Sequence, residues 1–427
     1  MGFPTIHKSK CVCIKGFLVS APSPSSVAPA ATPAAWRLSS NAAFALLAAV
    51  LFAFFLAAAA PSPLFVLFQQ DWGFSSALLT VAFAVYALAL LASLLVAGAL
   101  SDHVGRRPVI VVALVLQAVA MVMFLVARGI GGIVAARVVQ GLATGIASGT
   151  LSAAVLEAAP ASRKRLGTLI TSTSPLAGLA VGAAATGLTV SLSSHPVPLI
   201  FGTLTVLLAL GAVAAYFIPE TATPRPGAWA SLVPRVSVAQ RARGEFARGL
   251  PVLVSSWALA GLFLSLVPSI LRHIFAIDSG VTNGLAIATL FGVGAVSPSL
   301  MRPFGTWTPV AGMLSTALGV ALLLAAFASG SVLLFFVGAA VAGLGFGASF
   351  AALLQALAPL AQVHERAELF AALFVVSYLA FSVPAMGAGL LIASLGLRAT
   401  VEGYAVLVIA MALVGAWAQW RGRARTR

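Results

Sequence analysis

The densest chemistry in this 427-residue chain is the run Gly98-Ala-Leu100-Ser-Asp102-His-Val-Gly105-Arg106-Arg107-Pro108. Helical spacing puts Asp102 on the same face as Gly98, four residues earlier. Gly98 would let a second helix approach closely. Asp102 can accept from an arginine or from the N–H groups that open a neighbouring helix. Gly105 supplies the positive φ of a sharp reversal. Arg106 and Arg107 suit an anionic leaflet, and Pro108 suits the first turn of a new helix. An ordinary basic turn would explain the arginines but not the Gly/Asp/Gly spacing. A second group is Arg137, Gln140 and Gly141. Their spacing places the amide and the glycine on the arginine's own helical face, which Gly145 and Gly149 extend as a small-residue groove.

Other chemistry is missing. No His/Cys/Asp group has metal-ligand spacing, no Gly-x-x-x-x-Gly-Lys phosphate loop occurs, and the five histidines are scattered. Cys11 and Cys13 are too close and too few for a disulfide framework. No convergent acid, base and nucleophile set emerges, so neither an enzyme nor a resident metal or cofactor is expected.

The elements that must position these residues are set by composition. Hydrophobic residues make up 61% and charged residues 8%, with a mean hydropathy of +1.09. Soluble domains run near 45–50% apolar and about 25% charged, so a soluble fold is excluded and the lipid bilayer is the implied solvent. The net charge of +15 could suggest nucleic acid, but the positives sit in short gaps between apolar runs, not on a basic domain. Twelve runs are long enough to cross: Asn41–Phe65, Ser75–Leu100, Pro108–Ala127, Ile130–Leu156, Leu166–Leu192, Pro198–Ile218, Leu250–Leu271, Val281–Leu300, Thr308–Ala328, Ser331–Leu360, Leu369–Ser394 and Thr400–Trp420. None alternates polar with apolar as a barrel strand would, so the expected fold is all-α.

With a cytoplasmic start, 20 of the 24 Lys and Arg fall on cytoplasmic segments and three on the other side, while Arg137 lies inside the fourth span. Both termini are therefore expected on the cytoplasmic side. The expected organisation is a disordered tail over 1–39, a six-helix bundle over 40–218, a Pro-rich basic linker over 219–249, a second bundle over 250–420 and a basic tail over 421–427.

An internal repeat supports the division. Gly141-Leu-Ala-Thr-Gly145 matches Gly343-Leu-Gly-Phe-Gly347, Pro160 matches Pro359, and Pro61 matches Pro268, at offsets of 202, 199 and 207 residues. Such repeats typify transporter folds. Pro61, Pro63 and Pro268 free backbone carbonyls and kink their spans, as gating helices or passive bends.

The loop from Gly98 to Arg107 resembles the signature of the major facilitator superfamily, Gly-x-Leu-x-Asp-x-x-Gly-Arg-Arg, at every specified position. Arg137-Val-Val-Gln140-Gly141 is similar to its Arg-x-x-Gln-Gly element, and Pro175, Gly178 and Gly182 resemble a degenerate form of its antiporter motif, in which Gly and Pro are usually adjacent. Pro61-Ser-Pro63 and Phe217-Ile-Pro219-Glu220-Thr are similar to drug-exporter-like members. The second half has no such signature, since Ser297–Trp307 carries Arg302 without an acidic partner. The resemblance implies two six-helix bundles, a gating role for the loop, and a part for Arg137 in proton coupling or substrate binding.

A charge within a span costs about 2.5–3.5 kcal/mol on insertion scales, so Arg137 marks a functional position unless it snorkels to the outer interface. The resemblance also implies a monomer in a bacterial inner membrane that exports a small organic solute, amphipathic or weakly anionic, in exchange for protons. Gln69, Gln70, Tyr86 and Tyr378 are candidate cavity contacts beside Arg137 and Gln140. None of the nine acids sits firmly at mid-span, with Asp71 and Glu157 the nearest. That scarcity keeps an uncoupled facilitator, or an importer of a metabolite, as the alternative.

Overall fold

A computed structural model describes residues 38–424, apart from positions 224, 363 and 364. The tail expected over 1–39 lies outside the described residues except for Leu38 and Ser39, as do residues 425–427 of the basic tail. The first half comprises α1 (Ser40–Ala59), α2 (Pro61–Trp72), α3 (Ser76–Ala97), α4 (Ser101–Val104), α5 (Arg106–Val126), α6 (Ile130–Ala158), α7 (Lys164–Leu192) and α8 (Pro196–Tyr216). The second comprises α9 (Arg243–His273), α10 (Gly280–Leu300), α11 (Thr308–Ser329), α12 (Val332–Leu357), α13 (Arg366–Leu395) and α14 (Leu397–Ala424). Because α1 and α2 join through the helical residue Ala60 and α4 is a short turn, these helices make twelve membrane-length spans, with no strand among the described residues. This is a multi-pass all-α membrane protein.

The helices are apolar all round because most have both protein and lipid to face. On α5, Val112, Val115, Val119, Val122 and Val126 are exposed at helical spacing, while Ile110, Leu114, Met121 and Phe124 are buried on the other side. Such a stripe is stable only against hydrocarbon. Enclosure varies: α9 is the most buried span and α8 the least. Serines set several starts. Ser39, Ser75, Ser279 and Ser331 each accept a hydrogen bond from the N–H three residues on, at 3.3–3.4 Å, and each such cap contributes about 1 kcal/mol.

Three boundaries differ from expectation. The first span runs to Trp72, because Pro61 and Pro63 sit at the first turn of α2, where a missing N–H is tolerated. The helix of the seventh span starts at Arg243, inside the expected linker, and α14 carries Arg421 and Arg423 in helix past Trp420. Pro268 does not break α9, which continues to His273.

Within the first half α3 packs on α6, and α5 on α6 and α8; within the second, α11 packs on α12, and α9 on α13 and α14. The halves meet chiefly along two crossings, α7 with α10 and α3 with α13, with α2 also touching α9 and α10.

Candidate functional site

The signature loop closes one face of the first half. Arg106 is its hub. It pairs with Asp102 on the preceding turn and with Glu157 on α6 at 3.0 Å, and donates to the Ser101 hydroxyl at 2.6 Å. Glu157 also accepts from the Thr221 hydroxyl at 2.6 Å. Glu220 caps α5: one carboxylate oxygen accepts from the Arg106 N–H at 2.7 Å and the other from the Arg107 N–H at 3.1 Å. The negative charge therefore sits at the positive end of the α5 dipole. Arg107 lies over the Tyr216 ring. Asp102 accordingly takes the arginine, and the helix N-terminus that it was also expected to serve goes to Glu220.

Gly105 has φ 102°, and an added Cβ there would lie 2.6 Å from the Glu220 carboxylate. Gly98 departs from expectation. Its Cβ would strike the carbonyl of Leu94 in its own helix, so its smallness serves the turn more than the approach of a second helix. His103 ties the loop to the inter-half linker: its carbonyl accepts from the Arg225 N–H at 3.1 Å, and its Nδ1 lies 3.1 Å from the Pro226 carbonyl.

Arg137 does not snorkel. It is 1% exposed, and its guanidinium donates to Gln140 Oε1 at 2.7 Å and to the Ala58 carbonyl at 3.2 Å. Phe65, Phe83 and Tyr86 surround it with ring centroids 5.0–5.8 Å away, so cation–π attraction replaces part of the lost hydration. Gln140 Nε2 donates to the Ala57 carbonyl at 2.9 Å. The break in the first span makes this bond available. Pro61 has no N–H to give Ala57, four residues back, so the carbonyl is free for a side chain from α6.

The glycines of α6 do the packing expected of them. A Cβ on Gly141 would overlap the Tyr86 carbonyl, and one on Gly145 the Leu90 carbonyl, both on α3. Gly178 and Gly182, on the α7 segment that also carries Pro175, pack α7 on the backbone of Phe52 and Leu56 in α1. Sequence reasoning missed a third contact. Gly187 on α7 meets Gly280 and Gly284 on α10, main chain against main chain, at the end of the bundle away from Arg106. There the Ser191 hydroxyl accepts from the Val281 N–H at 3.0 Å, and Gly389 of α13 packs on Thr80 of α3. The signal was readable as a glycine pair four residues apart, but nothing in sequence named its partner helix.

The candidate cavity contacts separate into two places. Tyr86 and Tyr378 are each 7% exposed and lie in the middle of the bundle. Near them the rings of Phe83 and Phe381 meet at 4.8 Å, tilted by 36°, across the halves, and Trp257 stands 5.3 Å from Tyr378 and 5.6 Å from Phe350. Trp257, on the most buried span, was not anticipated. Gln69 and Gln70 are not central. Gln69 donates to the Phe74 carbonyl at 3.1 Å, and Gln70 lies beside Asp278 at the far end, because both sit in the last turn of α2. Gln70 does line a cavity of about 320 Å³ between the halves, with Pro63, Leu67, Ser191, Asp278 and Asn283.

Residues 46–314 match the model of the Major Facilitator Superfamily. The chain is 26% identical over 274 residues to the multidrug resistance protein MdtL of Klebsiella pneumoniae (strain 342), a match covering 60% of this chain and 66% of that relative. Among solved structures, the human organic anion transporter MFSD10 (TETRAN) superposes with a TM-score of 0.64 at 17% identity, covering 89% of this chain and all of the other. A POT family transporter in complex with 5-aminolevulinic acid superposes with a TM-score of 0.68 at 12% identity, over 87% and 94% of the two chains. With twelve spans, the signature loop and a family model matched over most of its length, the chain belongs to the Major Facilitator Superfamily.

Proposed function

We propose that the chain is a monomeric secondary transporter that exports a small amphipathic organic solute, uncharged or weakly anionic, in exchange for protons. Its setting is a bacterial inner membrane, with both termini cytoplasmic. The observation that carries this reading is the main-chain contact between the halves at one end of the bundle. Gly187, Gly280 and Gly284 seal α7 to α10 at the end away from the Arg106 loop, as alternating access requires of a carrier closed on one face. The arginine-rich loops at the other end give that end to the cytoplasm. Phe83, Phe381, Trp257, Phe350 and the two buried tyrosines offer an apolar, aromatic centre. Arg137 and the absence of a carboxylate from its described contacts disfavour a cation there. The MdtL match supports efflux as the direction.

The test is solute uptake into inverted vesicles under an imposed pH gradient, with a panel of neutral and anionic aromatic compounds. Uptake that ignores the gradient overturns the coupling. One observation favours a second reading. Glu157 is engaged with Arg106 and Thr221, and Asp278 lies beside Gln70 and Arg272 at the far end, so both are committed outside the centre. An uncoupled facilitator would need no central acid, and counterflow that persists with protonophore present would establish it.

A further inference from the structure

We propose that Gln70, Arg272 and Asp278 form a clasp that locks the two halves together at the end away from the Arg106 loop, and that a strained turn at Ala276 keeps this clasp weak enough to open. Gln70 belongs to the last turn of α2 in the first half, Arg272 to the last turn of α9 in the second, and Asp278 to the connection from α9 to α10. The Gln70 amide oxygen accepts from both terminal nitrogens of Arg272, at 2.8 Å from Nη2. A guanidinium presents those donors side by side, so one acceptor takes a forked, charge-assisted pair. Asp278 Oδ2 lies 4.0 Å from Arg272 Nε and holds the same guanidinium from within its own half.

The clasp stands beside the glycine seam. Gln70 and Asp278 line one cavity of about 320 Å³ together with Ser191 and Gly280, whose helices α7 and α10 meet in that seam. Asn283 lines the same cavity and is 4% exposed. Glycines let two main chains touch but supply no side chain that resists their parting. The clasp supplies one. Drawing α2 away from the end of α9 strips the Arg272 fork of its acceptor, whereas Asp278 travels with Arg272 and is kept.

The connection that carries Asp278 is bent against its own preference. Ala276 has φ 54° and is the one non-glycine residue with a positive φ among the described residues. A helix end usually makes such a reversal on glycine, which has no Cβ to crowd the following carbonyl. The Ile277 N–H donates to the Leu271 carbonyl at 2.9 Å, so the chain folds back over the end of α9 and brings Asp278 towards Arg272. Strain of this kind persists only where surrounding contacts hold it. The clasp is such a contact, so parting the halves frees the turn to relax, and strain and clasp oppose each other. The inference rests on the alternating-access reading but on neither its direction nor its coupling.

The test uses the full chain in detergent, with Cys11→Ser and Cys13→Ser as background and Asn283→Cys as reporter of the opened end, and reads the rate of maleimide labelling. The reporter should label slowly in the native fold. Gln70→Leu and Arg272→Gln should each speed labelling about fivefold, and the two together no more than one alone, since each removes the same bond. Ala276→Gly relieves the turn in the shut form and should slow labelling about fivefold. Gln70→Glu keeps an acceptor for Arg272 and should label no faster than the reporter alone. A rate unmoved by Gln70→Leu, or additive effects of the two clasp variants, overturns the clasp, while a reporter that labels leaves alternating access standing. An unchanged rate in Ala276→Gly overturns the part given to the turn. No labelling in any variant until the chain is unfolded overturns alternating access, and the clasp with it. Ser349→Cys, buried in the second half against Gly312 of α11, separates opening from unfolding. If that cysteine also labels in Gln70→Leu, Gln70→Glu and Ala276→Gly carry the test, and faster labelling in either overturns the proposal.

Discussion

Replacing Gln140 by Leu tests whether the broken first span is held by a side chain from the fourth. Two bonds are lost: the 2.7 Å bond that Arg137 donates to Oε1, and the 2.9 Å bond from Nε2 to the Ala57 carbonyl. Hydrogen bonds between membrane helices average about 0.6 kcal/mol and reach about 1.7 kcal/mol. The arginine bond is charge-assisted and belongs at the upper end, so Q140L should cost roughly 2 kcal/mol. The two parts can be separated. Changing Pro61 to Ala restores an N–H that can reach Ala57 along the helix, so P61A should offset the Ala57 share, about 0.6–1 kcal/mol, and none of the Arg137 share. Reversible unfolding in mixed detergent–SDS micelles, run on wild type, both single variants and the double, gives the coupling directly. Strict additivity, with P61A no milder in the Q140L background than alone, would refute the assignment of Ala57 as the carbonyl that matters.

Two further outcomes follow from the packing. Gly105→Ala must hold a left-handed φ and push aside the Glu220 carboxylate that caps α5, so it should lower stability by about 2–4 kcal/mol, read from the same unfolding curves. In a Glu220→Ala background only the backbone strain should remain, about 1–2 kcal/mol. Gly284→Val places methyl groups against the main chain of Ala183 and Gly187, which cannot yield, so α7 and α10 should separate at that end. A cysteine pair at Ser191 and Val281, whose wild-type groups lie 3.0 Å apart, should cross-link readily without this change and poorly with it. Undiminished cross-linking would show that the glycines are not what brings the helices together.

Span number and type were legible because hydrocarbon selects for uninterrupted apolar length, a property of composition alone. Contacts within one helix were nearly as legible, as Arg137 with Gln140 and Asp102 with Arg106 show. What could not be read was any partner distant in sequence. Glu157 and Glu220 reach Arg106 from 51 and 114 residues away, and Ala57 contributes a carbonyl, which no side-chain pattern announces. Gln69 and Gln70 were misplaced for a related reason. Apolar length marks a span without fixing how deep each residue sits, and the two glutamines fall in the last turn of α2, which ends at Trp72. Arg302 was visible as an arginine without an acidic partner, but Arg423 found its place on Thr306 only once the end of α14 had been positioned.

The seam of Gly187, Gly280 and Gly284 has a thermodynamic consequence. A gate closed by long side chains loses about 0.5–1.5 kcal/mol of rotamer freedom for each one it immobilises. Glycines have no rotamers to lose, so in the proposed alternating-access cycle this seam would shut without that entropic penalty and part again without recovering it. The open and shut forms can then stay close in free energy, and modest differences in binding suffice to tip the balance in either direction.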